Sequence, residues 1–388
     1  MASEVTFFPV DNGDTTLIKL ADNKSVLIDI NLRDLAQDSE DPSCDVIKEL
    51  RKRLEKDDKR RPYVDAFLLS HADQDHCRGL QKHFHLGPLS DYNYEPPEGE
   101  ELKIVIREMW SSPMMFRRAR KNNPLCEDAK AFNTEARRRV KLFKEKKSAG
   151  EGDRILIIGE DENGKTDELE SILVKTDEVF NKINGSANEH VSVRVLAPLP
   201  PQKESEEEQL SKNHSSVVLQ ISFNAEGEKD ACLFLTGGDA KVYIWGKMWN
   251  RKKDKIEDIQ YDLLLSPHHC SWHSLSYDSW SKSENPQVKA EAKSALSQCR
   301  EGALIVSSSK PIKNDKNDPP CWGAKKEYLS ILKKEEDRFY CTGEYPSAKN
   351  PEPLTFKVSK EGFQPPSKKS ASMASIIAGS TRERTGHG

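Results

Sequence analysis

LLSHADQDHCRGL, residues 68–80, closes an apolar run with two histidines and two aspartates inside six positions. Val64–Leu69 reads as a buried strand, so His71, Asp73, Asp75 and His76 stand in the loop that leaves it. In such a loop alternate side chains turn toward a common centre while their neighbours face away, and Gly79 permits a tight backbone. Four imidazole and carboxylate ligands this close suit two divalent ions better than one, since a single ion is usually held from distant segments. The plain alternative is an ordinary polar loop.

Two more stretches end strands in the same way. LFLTGGDA (233–240) places Asp239 after a Gly-Gly turn, and DLLLSPHHCSWHS (262–274) places His268 and His269 after the run Asp262–Ser266. Taken singly, one is a turn aspartate and the other a surface histidine pair. Three strand ends that each deliver Asp or His to one sheet edge favour a metal centre.

Composition narrows the setting. The 388 residues can form one large domain or two smaller ones. With 35% apolar and 32% charged residues, the surface is heavily charged and the loops are long. A net charge of −4 gives no whole-molecule attraction for nucleic acid, so any such contact needs a local patch. The start MASEVTFFPV lacks the basic and apolar regions of a signal peptide, and no apolar stretch nears the roughly 20 residues that span a bilayer. The eight cysteines are scattered without a CxxC pair, as for reduced thiols. A soluble cytoplasmic protein with no membrane partner is the expectation.

Strands are expected at Thr15–Leu20, Ser25–Ile30, Lys103–Ile106, Arg154–Ile158, Val191–Leu196, Ser216–Phe223, Cys232–Thr236, Tyr261–Ser266 and Ala303–Ser307. Helices are expected over Asp45–Lys59 and Trp322–Lys334, and Phe339–Thr342 with Leu354–Val358 reads as a final hairpin or strand pair. Phe116–Lys147 is a basic, helical insertion with twelve Lys and Arg against four Asp and Glu. Lys203–Leu210 reads as an acidic linker, and residues 365–388 as a disordered tail.

The motif HxDxDH, the Gly-Asp after an apolar strand and the His-His-x-Ser of HHCS resemble the metallo-β-lactamase fold. They are most similar to the metallohydrolase domain of ComEC-type DNA-uptake proteins. VDNGDTTLIKL and SVLIDI resemble that group's opening strand pair, with Gly13, Asp14 and Asp29 matching; NHSSVVLQISF and GALIVSSSK resemble its later strands. The pieces run in order from about residue 5 to residue 358. The resemblance implies an α/β fold, an αββα four-layer sandwich over residues 1–364, with the basic insertion at about 112–150. Three departures stand out: Asp73 is the middle ligand where the wider fold has His, Cys270 follows the paired histidines where Gly is usual, and Cys321 in DPPCWG stands where a His before Pro is usual.

Carried over residue by residue, the family motif implies two divalent ions. One would be held by His71, Asp73 and Asp239, the other by Asp75, His76, Asp239 and His269. Asp239 would bridge them, Asp75 would also orient the attacking hydroxide, and His268 would serve as a donor; the order of His268 and His269 stays open. His214 either completes the first site or is a surface residue beside a structural Asn213. Asp73 makes the first site harder, which favours Mn²⁺, with Zn²⁺ or Mg²⁺ as alternatives.

The implied activity is metal-dependent phosphodiester hydrolysis by a nuclease acting on DNA. Soluble relatives of this type look like effectors of bacterial defence, which implies a restraining protein partner. Arg117, Arg118, Arg120, Lys121, Arg137, Arg138 and Arg139 would hold the polymer, unless they are a solvated charged face. Trp110, Phe116 and Phe132 stack on bases or pack in the core. The alternatives are hydrolysis of a small phosphodiester or phosphorylcholine-type ester, and a non-catalytic scaffold.

Overall fold

Alternation along the apolar runs decides the layers. In a computed structural model of the chain, which describes residues 1–34, 43–96, 101–119, 124–200 and 210–366, these runs form two mixed sheets packed face to face. The strands of the first are β1 (Glu4–Phe7), β2 (Thr16–Lys19), β3 (Ser25–Ile28), β4 (Tyr63–Leu68), β5 (Ile104–Ser111) and β6 (Arg154–Ile158). The second holds β7 (Val191–Ala197), β8 (Val218–Ala225), β9 (Glu228–Thr236), β10 (Tyr261–Leu265), β11 (Cys299–Ser307) and β12 (Phe339–Cys341). The chain then returns to the first sheet with β13 (Leu354–Ser359) and β14 (Gly362–Gln364).

Among these strands the first sheet runs β14-β13-β1-β2-β3-β4-β5-β6 and the second β7-β8-β9-β10-β11-β12. β3, β4, β5 and β6 pair in parallel, as do β9, β10, β11 and β12. Parallel strands are covered on both faces and therefore read as nearly unbroken apolar runs. In β10, Leu263 and Leu265 face the space between the sheets while Leu264 faces out. Phe7 of one sheet meets Phe234 of the other edge to face, their centroids 5.6 Å apart.

Helices complete four layers, so the α/β sandwich is the observed architecture. Outside the first sheet lie α1 (Val46–Arg51) and, beyond α2 (Gln74–Cys77) and α3 (Pro113–Arg117), the long α4 (Glu127–Lys146), which buries Ala129, Phe132, Ala136 and Phe143. Outside the second lie α5 (Val242–Lys252), α6 (Ala290–Leu296) and α7 (Trp322–Ile331).

Two expectations are corrected. Phe339–Thr342 and Leu354–Val358 do not pair: β12 runs parallel to β11 in the second sheet, whereas β13 joins β1 in the first. The helix expected over Asp45–Lys59 is only Val46–Arg51; apolar spacing continues to Leu54, but the chain turns there through hydrogen bonds from Arg53 and Leu54 to Leu50 and Arg51. Residues 367–388, residues 201–209 of the acidic linker region, and Arg120 and Lys121 lie outside the described residues. No helix among the described residues is long and apolar enough to cross a membrane.

Candidate metal centre

The carboxyl ends of β3, β4, β9 and β10 meet at one edge of the sandwich, the place where parallel strands commonly present ligand-binding loops. β3 leads to Asp29, β4 to His71–His76, β9 to Asp239 and β10 to His268 and His269. The loops are bonded to one another, once across the two sheets and once within each. Val217 N–H donates to the Ser70 carbonyl (2.9 Å), His268 N–H to the Gly238 carbonyl (2.9 Å) and Asp14 N–H to the Asp75 carbonyl (3.1 Å). Two glycines make this approach feasible. A Cβ on Gly13 would lie 2.8 Å from the Asp75 carbonyl oxygen, and Gly238 turns through φ +44° against Ser70.

Three groups of ligand atoms lie within 4.8 Å of one another: His71, Asp73 and Asp239; Asp75, His76 and His269; and Asp14, Asp29 and His76. Asp239 belongs to the first group and also reaches the histidines of the second. Its Oδ1 lies 3.0 Å from His76 Nε2 and 3.4 Å from His269 Nε2, while its Oδ2 lies 3.9 Å from His71 Nε2 and 3.6 Å from His268 Nε2. Asp239 thus turns one oxygen to each half of the centre. His71 Nε2 is 3.0 Å from Asp73, and His269 Nε2 is 3.4 Å from Asp75.

Behind these ligands stand two carboxylates. Asp29 takes His76 Nδ1 at 2.9 Å, and Asp14 Oδ1 faces His269 Nδ1 at 3.4 Å. A carboxylate on the far nitrogen fixes the ring and turns the other nitrogen to a metal. Asp29 is itself held by the Ser70 N–H (2.7 Å) and hydroxyl, and has left-handed backbone, φ +55°. Sequence reasoning matched Asp14 and Asp29 to a family strand pair without giving either a role. Their place directly before β2 and after β3 was the available signal.

Burial pushes the Asp239 carboxyl up, but His268, His76 and His269 outweigh it and hold the group well below the usual carboxylate range. Burial lowers His76, yet Asp239 and Asp29 drive it well above the usual histidine value. His269 is lifted in the same way by Asp14 and Asp239, to about 10. The centre is therefore a pocket of excess negative charge that pulls protons onto its own imidazoles. Asp14 Oδ1, His268 Nδ1 and both ring nitrogens of His269 are buried with no hydrogen-bond partner among the described residues. Hard carboxylates, imidazoles and orphaned ligand atoms at these distances fit divalent cations.

His268, His269 and Cys270 run consecutively through the left-handed region, at φ 52°, 54° and 65°. Side chains other than Gly pay about 1 kcal/mol or more for that conformation, and such strain collects at functional sites. His268 keeps 16% of its side chain exposed, against 0–1% for His71, His76 and His269.

Other expected residues lie elsewhere. His214 belongs to none of the three groups: its Nδ1 accepts the Ser211 N–H (3.0 Å) and its ring packs against Tyr243. Its neighbour Asn213 instead reaches Asp239 Oδ2, at 3.5 Å. Part of the basic insertion turns inward. Arg139 is 1% exposed and bonds Glu135 and the carbonyls of Arg154 and Ile106; Arg118 is equally buried and points to the His214 carbonyl. Arg138 pairs with Glu135 and Asp153, and Arg117 with Asp161 and Glu162. Buried guanidiniums cannot meet a phosphate backbone, so Arg118 and Arg139 leave the expected track; Arg137 is exposed on α4. Trp110 and Phe132 are fully buried and Phe116 packs on the same core, so all three are packing residues.

No protein-family model matches the chain, and no curated protein matches it. Among solved structures, it is similar to an isothiocyanate hydrolase from Delia radicum gut bacteria, with 13% identity and a TM-score of 0.36 over 92% of this chain and 99% of that one. It is also similar to a "possible metal-dependent hydrolase" from Veillonella parvula, with 9% identity and a TM-score of 0.38 over 91% and 98%.

Proposed function

We propose that the chain is a metal-dependent phosphodiester hydrolase with nucleic acid as substrate. The observation that carries the reading is Asp239, whose two oxygens each face a separate group of His and Asp ligands in a buried, anionic pocket. His71, Asp73 and Asp239 would hold one ion, and Asp75, His76, His269 and Asp239 the other. Two divalent ions, when bound, make water more acidic and screen charge on a phosphoryl oxygen.

The chain's own groups supply the rest. Asp75 is 32% exposed, and His269 and His76 hold its carboxyl below the usual range despite burial, so it stays ionised and can accept a proton from attacking water. His268, the most exposed of the four histidines, sits at the rim, where its ring can donate a hydrogen bond toward the leaving oxygen. An anionic phosphodiester suits such a centre better than a neutral ester.

A second reading, a small phosphodiester as substrate, is favoured by the burial of Arg118 and Arg139 and by a cavity of about 350 Å³ lined by Asn12, Lys310 and Lys313. Asn12 lies two residues from Asp14, and cavities of this size hold small ligands rather than strands.

The test is hydrolysis by the full chain with Mn²⁺ of labelled single- and double-stranded DNA and of bis(p-nitrophenyl) phosphate, against Asp75→Ala/His76→Ala. DNA cleavage lost in the double variant supports the nuclease reading. Turnover of the small ester alone favours the second, and no Mn²⁺ binding in any condition sinks both.

A further inference from the structure

The loop of metal ligands is braced from outside by the first turn of α4. Asp128 accepts the backbone N–H groups of Gly79 and Gln81, both at 2.9 Å. Two residues earlier, Cys126 stands at the N-cap position of the helix, and its sulfur lies 3.4 Å from that of Cys77. Cys77 follows His76 directly in α2, and its thiol also lies 3.2 Å from the Asp73 carbonyl oxygen. Its single proton therefore stands between the backbone of one proposed ligand and the sulfur of Cys126. All eight cysteines of the chain are free.

We propose that Cys77 and Cys126 form a peroxide-oxidisable dithiol whose disulfide regulates the metal-binding loop. The consequence for the metal rests on the function proposed above, whereas the cross-link itself does not. Cys126 is half-buried and Cys77 fully buried, so Cys126 meets the oxidant and Cys77 resolves. The Cys77 thiol, aided by the Ala129 N–H, holds the Cys126 thiol down to about 6 against burial, which raises its thiolate fraction at neutral pH.

In the first step the Cys126 thiolate attacks one oxygen of hydrogen peroxide. A sulfur–oxygen bond forms, the oxygen–oxygen bond breaks, and hydroxide leaves and is protonated to water. In the second, the Cys77 sulfur attacks the resulting sulfenic acid. The sulfur–sulfur bond forms, the sulfur–oxygen bond breaks, and a second water leaves with the Cys77 proton. Two thiols are oxidised and one peroxide is reduced. The hydrogen bond from Cys77 to the Asp73 carbonyl disappears with that proton, so the change reaches one proposed ligand two residues before another, Asp75.

The experiment uses the full reduced chain, treated with a slight excess of hydrogen peroxide, alkylated and mapped by peptide mass spectrometry. The expected first product is the peptide pair joined through Cys77 and Cys126, with the other six thiols still alkylated. Cys126→Ser should abolish it without unfolding the chain, because Ser is a favoured helix cap. Amide hydrogen exchange over residues 71–81 should then differ at least about tenfold between oxidised and reduced wild type, and not in Cys126→Ser. A different pair oxidised first, or unchanged exchange across the loop after cross-linking, overturns the proposal. Mn²⁺ titration of the reduced chain runs in parallel: a lack of binding there removes the metal reading while leaving the cross-link to be judged by itself.

Discussion

Two of the places where the fold buries charge treat it in opposite ways. Around α4, Glu135 and Arg139 are 4% and 1% exposed, and each nitrogen of the Arg139 guanidinium donates to an acceptor: Nε to Glu135, Nη1 to the Arg154 carbonyl and Nη2 to the Ile106 carbonyl. Arg138 closes the set through Glu135 and Asp153. At the strand ends, by contrast, carboxylates outnumber the groups that balance them, and His269 has two buried nitrogens without a hydrogen bond among the described residues. A closed network stabilises a fold, while an open one waits for a ligand.

The contrast can be broken by experiment, and the largest effect belongs to the closed cluster. Glu135→Ala leaves Arg139 buried without its counter-charge and should cost about 3–5 kcal/mol in urea unfolding. A loss below about 1 kcal/mol would show that the network does not matter. The open cluster should respond to cation instead. Mn²⁺ at a hundred times its dissociation constant should stabilise wild type by about 2.7 kcal/mol, and Glu135→Gln comparably, but Asp239→Asn hardly at all. Equal gains in wild type and Asp239→Asn would erase the distinction.

Acid sharpens the closed side further. Burial raises the Glu135 carboxyl, but Arg138 and Arg139 prevail and hold it below its ordinary value. Its folded value is therefore the lower one, so its contribution is full above the unfolded value near ~4.3 and is lost as pH falls below it. Between about pH 5 and 3, wild-type stability should fall more steeply than that of Glu135→Gln, by up to one proton in the slope. The smallest effect concerns the end of α4, where Lys147 caps the helix at φ 55°. Lys147→Gly should raise stability by about 0.5–1 kcal/mol, seen as a shift in unfolding midpoint without change in slope.

The two clusters were not equally legible. His71, Asp73, Asp75 and His76 announce themselves because four ligands crowd one strand end, and Asp239 with the histidine pair repeat the pattern. Asp14 and Asp29 were harder, since a lone aspartate beside a short strand has many uses, and only the pairing of β2, β3 and β4 brings both behind the rings of His76 and His269. His214 drew attention by residue type, whereas the site uses the amide before it. On α4, counting cations obscured a spacing that was present: Phe132, Ala136, Arg139 and Phe143 follow the helical repeat, which puts Arg139 on the buried stripe, with Glu135 one turn back. Charge totals along a segment do not say which face is covered.

The shared edge of the two sheets also has a bearing on how the chain folds. His76 and Asp239 stand 163 residues apart, yet their ligand atoms are 3.0 Å apart. Neither sheet on its own holds both, so a centre built on His76 and Asp239 forms only after the sheets have docked, late on a route dominated by distant contacts. A cation held there slows separation of the two halves far more than it hastens their meeting. In a chain nicked between β6 and β7, such a cation would add to the hold of β13, which the second half lends to the first sheet.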